Sequence, residues 1–137
     1  MKVFLDTNVL ASAFTTRGLC ADVMQVAIAE HELMVGEVVL AELRKALTAK
    51  FRVPPDVAKE AEEFLRQFTV VPRPKMHLHT GIRDPADEWI IASAVACTAG
   101  AIVTGDKDIL ECKKCPVDVL TPRQFWERVA RSRLAKT

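Results

Sequence analysis

The sequence predicts an α/β protein: a three-layer α/β/α sandwich on a mainly parallel, five-stranded sheet. Two observations lead there. Short apolar runs alternate with segments of helical periodicity, and the uncharged stretch from Trp89 to Gly105 reads as a buried helix followed by a buried strand. Strands separated by helices imply right-handed crossovers and a sheet covered on both faces. With 137 residues, 50% of them hydrophobic, the chain is expected to form one core and one domain over residues 1–137.

The elements follow in order. Lys2 to Leu5 is a first strand that stops at Asp6, and Asp6-Thr7-Asn8 reads as a turn or helix cap. Val23, Met24, Ala27 and Ile28 recur at helical spacing between Ala21 and Glu30. Leu33 to Val35 is a second strand, closed by Gly36. Glu37 to Lys50 places Leu40, Leu43 and Leu47 on one stripe, and Pro54-Pro55-Asp56 opens another helix with Val57, Ala61, Phe64, Leu65 and Phe68 inward. Thr69 to Val71 is a third strand, ended by Pro72 and Pro74, with loop from Lys75 to Arg83. Asp84-Pro85 caps a helix that runs to about Ala99 and is ended by Gly100. Ala101 to Thr104 is a fourth strand, Asp106 to Glu111 a short helix and Val117 to Leu120 a fifth strand. Thr121-Pro122 then starts a last helix carrying Phe125, Trp126, Val129 and Leu134.

Charge and cysteine content narrow the function classes. Nineteen basic and eighteen acidic side chains leave a net charge of +1, which excludes a uniformly basic nucleic-acid coater. Three apolar residues before Asp6 are too few for a secretory signal, and the apolar stretch beginning at Trp89 falls short of the roughly 20 residues a membrane span needs. A cytoplasmic protein without a membrane association is expected. Of Cys20, Cys97, Cys112 and Cys115, only the last pair has ligand-like spacing. In a reducing compartment free thiols are the ordinary reading, since zinc would need two further ligands, such as His77 and His79, brought close in space.

The acids carry more information. Asp6 follows the first strand and Asp106 follows the fourth, so both belong beyond strand carboxyl ends, where ligands gather in parallel sheets. The helix opened by Asp84 runs antiparallel to its strands, which returns Asp84 and Asp87 to the same edge. Glu42 lies little more than a turn into the helix after the second strand. Singly, each acid has an ordinary role: Asp6 and Asp106 as caps, Asp84 and Asp87 as a capping pair, Glu42 as a solvated helix residue. Jointly, convergence from four segments concentrates negative charge that a divalent cation would relieve. Oxygen ligands suit Mg²⁺ or Mn²⁺, ions that engage phosphate oxygens, so a phosphodiester substrate is expected.

Val3-Phe4-Leu5-Asp6-Thr7-Asn8, Glu42, Asp84-Pro85-Ala86-Asp87-Glu88-Trp89-Ile90-Ile91-Ala92 and Ile102-Val103-Thr104-Gly105-Asp106-Lys107-Asp108 together resemble the PIN-domain nucleases, in order and spacing, over nearly the whole chain. Within that family the sequence is similar to the toxins of toxin–antitoxin pairs. The resemblance implies cleavage of single-stranded RNA dependent on Mg²⁺ or Mn²⁺. It makes Asp6, Glu42, Asp87 and Asp106 the catalytic metal ligands, with Asp84 and Asp108 as further candidates and Asn8 and Thr104 as polar supports. It also implies an antitoxin that lays a basic peptide across the acidic cleft. The family's homodimers make a second copy a further expected partner, for which the helix from Asp56 to Phe68 offers a surface that serves equally as core. Arg17, Arg44, Lys45, Arg83 and Lys107 flank the acids and could hold RNA phosphates, although an ordinary solvated charge is the simpler reading of any one of them. Two other functions fit the same fold: a catalytically silent RNA-binding or protein-interaction module, and a metal-dependent phosphatase or flap-type DNA nuclease.

Overall fold

The computed structural model describes residues 1–75 and 80–135. Strand β1 (Lys2–Leu5) leads into helices α1 (Thr7–Thr15) and α2 (Leu19–Glu30). Strand β2 (Glu32–Gly36) is followed by α3 (Glu37–Lys45), a π-helical turn (Ala46–Lys50) and α4 (Pro55–Leu65). Then come β3 (Thr69–Val71), α5 (Pro85–Ala96), β4 (Ala101–Val103), α6 (Lys107–Leu110), β5 (Val119–Leu120) and α7 (Pro122–Ala135). The five strands form one sheet in the order β3-β2-β1-β4-β5, every pairing parallel.

The expected three-layer α/β architecture is present. Val3, Phe4 and Leu5 alternate faces along β1 yet all are fully buried, so the sheet is covered on both sides. Leu33, Met34 and Val35 of β2 and Ala101, Ile102 and Val103 of β4 are buried as well. Gly36 closes β2 because the Phe4 ring lies against it: a Cβ there would come within 2.9 Å of Phe4 Cζ.

Several elements differ in detail from the sequence expectation; in α4, which ends at Leu65, Val57 and Phe64 are exposed rather than inward. After Asp6 the helix-cap alternative holds: the Asp6 side chain accepts from Thr7 N and opens a full helix, α1. Its Thr, Asn, Ser and Val content gives weak helix propensity, so burial of Val9, Leu10 and Ala11 decides the outcome. The predicted helix over residues 37–50 changes pitch at Ala46, where Phe51 N donates to Ala46 O in a wide turn. The helical run ends at Lys50, Arg52 takes a left-handed φ of 54°, and Leu47 stays buried inside the wide turn. The fifth strand is also shorter than its apolar run, because Val117 precedes the pairing with β4.

Strand order reverses between β1 and β4. Parallel sheets open a crevice at the carboxyl ends of strands on either side of such a reversal. Here those ends deliver Asp6 and Thr104.

Candidate metal centre

Asp6 is 3% exposed and works as a helix cap with both oxygens engaged. Its Oδ1 accepts from Thr7 N at 2.7 Å, and its Oδ2 accepts from the Thr104 hydroxyl at 2.6 Å. The same hydroxyl oxygen accepts from Asp106 N at 3.0 Å, so one fully buried threonine aligns the acids at the ends of β1 and β4. Asp106 in turn caps α6, accepting from Asp108 N at 2.8 Å. Glu42, exposed on α3, is reached from the other side by the Thr7 hydroxyl, which donates to its Oε2 at 2.9 Å.

Helix α5 adds the third acid. Asp84 is its N-cap, accepting from Ala86 N at 3.0 Å, and Pro85 occupies the first helical position. Asp87, three residues on, is buried, and its Oδ2 has no hydrogen-bond partner among the described residues. Asp87, Asp106 and Asp108 each bring one carboxylate oxygen to within 4.8 Å of the others.

These positions have an electrostatic cost. Burial pushes the Asp87 carboxyl up to about 7, and the neighbouring charges of Asp106, Asp84, Asp6 and Asp108 push in the same direction. Burial also raises Asp6; the hydrogen bonds from Thr104 and Thr7 oppose that rise, and Asp106 and Glu42 add to it. An unpartnered buried oxygen among three converging carboxylates fits a small hard cation: the donors are all oxygen, and the one cation paired with the trio, Arg83, reaches only Asp108, at 3.9 Å.

The expected residues therefore fall into groups. Asp87, Asp106 and Asp108 converge, Asp6 joins them through Thr104, and Glu42 approaches Asp6 through Thr7. Asp84 is exposed and its Oδ1 caps α5. Asn8 is exposed in the first turn of α1, whereas Thr104 is buried and bonded to two of the acids. Among the cations, Arg44 has an acid partner, Glu62, at 3.5 Å, and Arg83 lies 3.9 Å from Asp108. Arg17, Lys45 and Lys107 are exposed. All four cysteines are free, and His77 and His79 lie outside the described residues.

Two residues of this region carry roles that sequence reasoning missed. Thr7 links the acids after β1 and on α3, donating from its N to Asp6 and from its hydroxyl to Glu42, and Glu88 is buried, its Oε1 accepting from both N and Oγ1 of Thr80 at 3.0 and 2.8 Å. Acidic residues in a first helical turn usually face solvent, which disguised Glu88. Its position two residues before Ile90 in an otherwise apolar helix was the available signal.

A PIN domain family model matches residues 2–108. No curated protein matches significantly. Several solved structures share the fold. A chain of VapBC2 from Rickettsia felis, bound to a DNA fragment from its promoter, superposes with a TM-score of 0.66 at 15% identity, covering 88% of this chain and 98% of that one. A chain of FitAcB from Neisseria gonorrhoeae gives 0.63 at 20% identity, with the same coverages of 88% and 98%. A chain of VapBC-1 from nontypeable Haemophilus influenzae gives 0.61 at 20% identity, covering 90% and 99%.

Proposed function

The chain belongs to the PIN-domain family, and on that premise we propose that it is an endoribonuclease that hydrolyses phosphodiester bonds of single-stranded RNA with Mg²⁺ or Mn²⁺. The observation that carries this reading is the Asp87 carboxylate: buried, with one oxygen unpartnered among the described residues, and grouped with Asp106 and Asp108. Buried acid is retained at such cost where a cation compensates it.

In this reading Asp87, Asp106 and Asp108 hold the ion, and Asp6 and Glu42 complete its surroundings directly or through water. A divalent ion held there would supply an acidified water and charge neutralisation for in-line attack on phosphorus. The chain's own contribution is positional. Thr104 fixes Asp6 and Asp106 relative to one another, Thr7 fixes Glu42, and the α5 cap at Asp84 sets the turn from which Asp87 projects. Arg17, Lys45, Arg83 and Lys107 are the side chains that would meet strand phosphates. Arg44, engaged with Glu62, contributes less.

The family resemblance and the VapBC and FitAcB folds support a further element: the protein acts as the toxin of a toxin–antitoxin pair. A cognate antitoxin would offer Arg or Lys to the acidic cleft, and a homodimer and cytoplasmic action go with the same reading. Residues 1–137 are taken as one domain. None of the described helices is long and apolar enough to cross a membrane.

Cleavage assays test the proposal. In Mn²⁺ the wild-type chain should cut single-stranded RNA in preference to single-stranded DNA or flap substrates, and Asp6→Asn or Asp106→Asn should lower the rate by about a hundredfold or more. Cleavage unchanged in both variants would dismiss this site, and preference for a flap would replace RNA as the substrate.

A further inference from the structure

Beside the acidic trio lies an open cavity of about 330 Å³. Asp108 belongs to both features, since it groups with Asp87 and Asp106 and also lines the cavity. The rim carries Arg83, Lys113 and Lys114, all exposed. Arg44, Arg66, Arg128 and Arg133 elsewhere on the surface sit in ion pairs, but among the described residues neither Lys113 nor Lys114 has an acid within 4.0 Å. Arg83 reaches Asp108 only at 3.9 Å. Glu111 is the other acid of the rim, so three cations face two acids, one of which belongs to the proposed ion's group. With an ion in place the rim is left with an excess of positive charge, the setting in which an anion is drawn in.

Side-chain contacts tie the lining segments together. Thr80 lines the cavity, and its N and Oγ1 both donate to buried Glu88. Cys112, which follows α6, points its Sγ at Thr80 O across 4.0 Å. The segment from Thr80 to Arg83 and the turn carrying Lys113 and Lys114 are thereby set against each other before any ligand arrives.

We propose that this cavity is the subsite for the nucleotide adjoining the cleaved bond, with Arg83, Lys113 and Lys114 receiving its phosphate. The proposal rests on the nuclease reading and deepens it. A volume of 330 Å³ suits one nucleotide rather than a stretch of strand. Among the described residues no aromatic side chain lines the cavity, and recognition through phosphate leaves the subsite tolerant of base identity.

The test uses oligoribonucleotides that share one cleavable bond and differ by a single nucleotide on either side of it, cut by the full chain in Mn²⁺. Adding the nucleotide that fills the cavity should raise wild-type kcat/KM by about tenfold. The pair Lys113→Ala/Lys114→Ala should lose that gain through KM, with kcat within about twofold of wild type. Lys113→Arg/Lys114→Arg should restore it. The slope of log kcat/KM against log salt should become shallower by about 0.7 for each cation removed. Mn²⁺ affinity, read by electron paramagnetic resonance, should be the same in all variants. If the wild type cuts RNA and the alanine pair keeps both the length gain and the salt slope, the subsite is overturned while the nuclease reading stands. If the wild type neither binds nor cuts RNA, both are overturned.

Discussion

The Thr104 hydroxyl donates to Asp6 Oδ2 at 2.6 Å, a hydrogen bond between residues 98 positions apart that joins the ends of the two central strands. Because the same oxygen accepts from Asp106 N, replacing Thr104 with Val strands two polar groups at once. Unpartnered buried groups cost ~1–3 kcal/mol each, so Thr104→Val should lower the urea unfolding free energy by about 2 kcal/mol or more. Mn²⁺ affinity should fall as well, because Asp6 and Asp106 lose their shared alignment. A variant that matched the wild type in both measurements would show that the threonine aligns nothing.

Asp84 and Asp87 should separate cleanly on substitution. Asp84→Ala removes an N-cap and should cost ~1 kcal/mol of stability, recovered by Asp84→Asn, while RNA cleavage persists. Asp87→Asn keeps the helix start but removes the buried charge, and cleavage should be lost. If the two variants exchange these phenotypes, the ligand on α5 is Asp84.

The metal-free protein should lose stability as pH rises. The Asp87 carboxyl sits at about 7 in the folded chain, against an ordinary value of 3.8. Between those values the folded state keeps a proton that the unfolded chain has released, so stability falls across that window. Asp6, also raised, acts in the same sense. Urea midpoints in EDTA should be lower at pH 7.5 than at pH 5, and Asp87→Asn should reduce the difference. Parallel profiles for variant and wild type would contradict the burial argument.

Divalent metal should reverse that loss. A ligand bound only to the folded state at a hundred times its Kd adds ~2.7 kcal/mol, and Mn²⁺ should stabilise the chain more at pH 7.5 than at pH 5, because the ion competes with the Asp87 proton. EDTA should cancel the effect, and Asp106→Asn should blunt it. Identical melting curves with and without Mn²⁺ at pH 7.5 would argue that no ion binds.

Much of this was legible in the chain before folding, and the reasons are local. Val3 to Leu5 and Ala101 to Val103 are runs buried on both faces, and Asp84-Pro85 is a start signal whose meaning depends on adjacent residues alone. Strand alternation therefore indicated a parallel sheet, which the pairings bear out. The cap of α1 at Asp6 was one of two readings, but the length of the helix was hidden, because its residues favour a helix only once Val9 and Leu10 have a core to enter. The change of pitch at Ala46 keeps Leu47 buried on the same stripe as Leu40 and Leu43, and periodicity alone does not register it. At the acidic edge, placement beyond strand ends brought Asp6 and Asp106 together on paper. The Thr104 bridge, the Thr7 link to Glu42 and the Thr80 clamp on Glu88 each join residues separated in sequence, and no local pattern announces them.

Asp6, Asp84 and Asp106 each start a helix with the same side chain that contributes negative charge to the cleft. Asparagine terminates a helix N-terminus nearly as well as aspartate but carries no charge. On the nuclease reading, a lineage that abandoned cutting while keeping its shape would have an inexpensive exit at Asp6 and Asp106, a single amide for a single acid. Asparagine there, rather than alanine, is the mark by which a retired enzyme among this chain's descendants should be recognised.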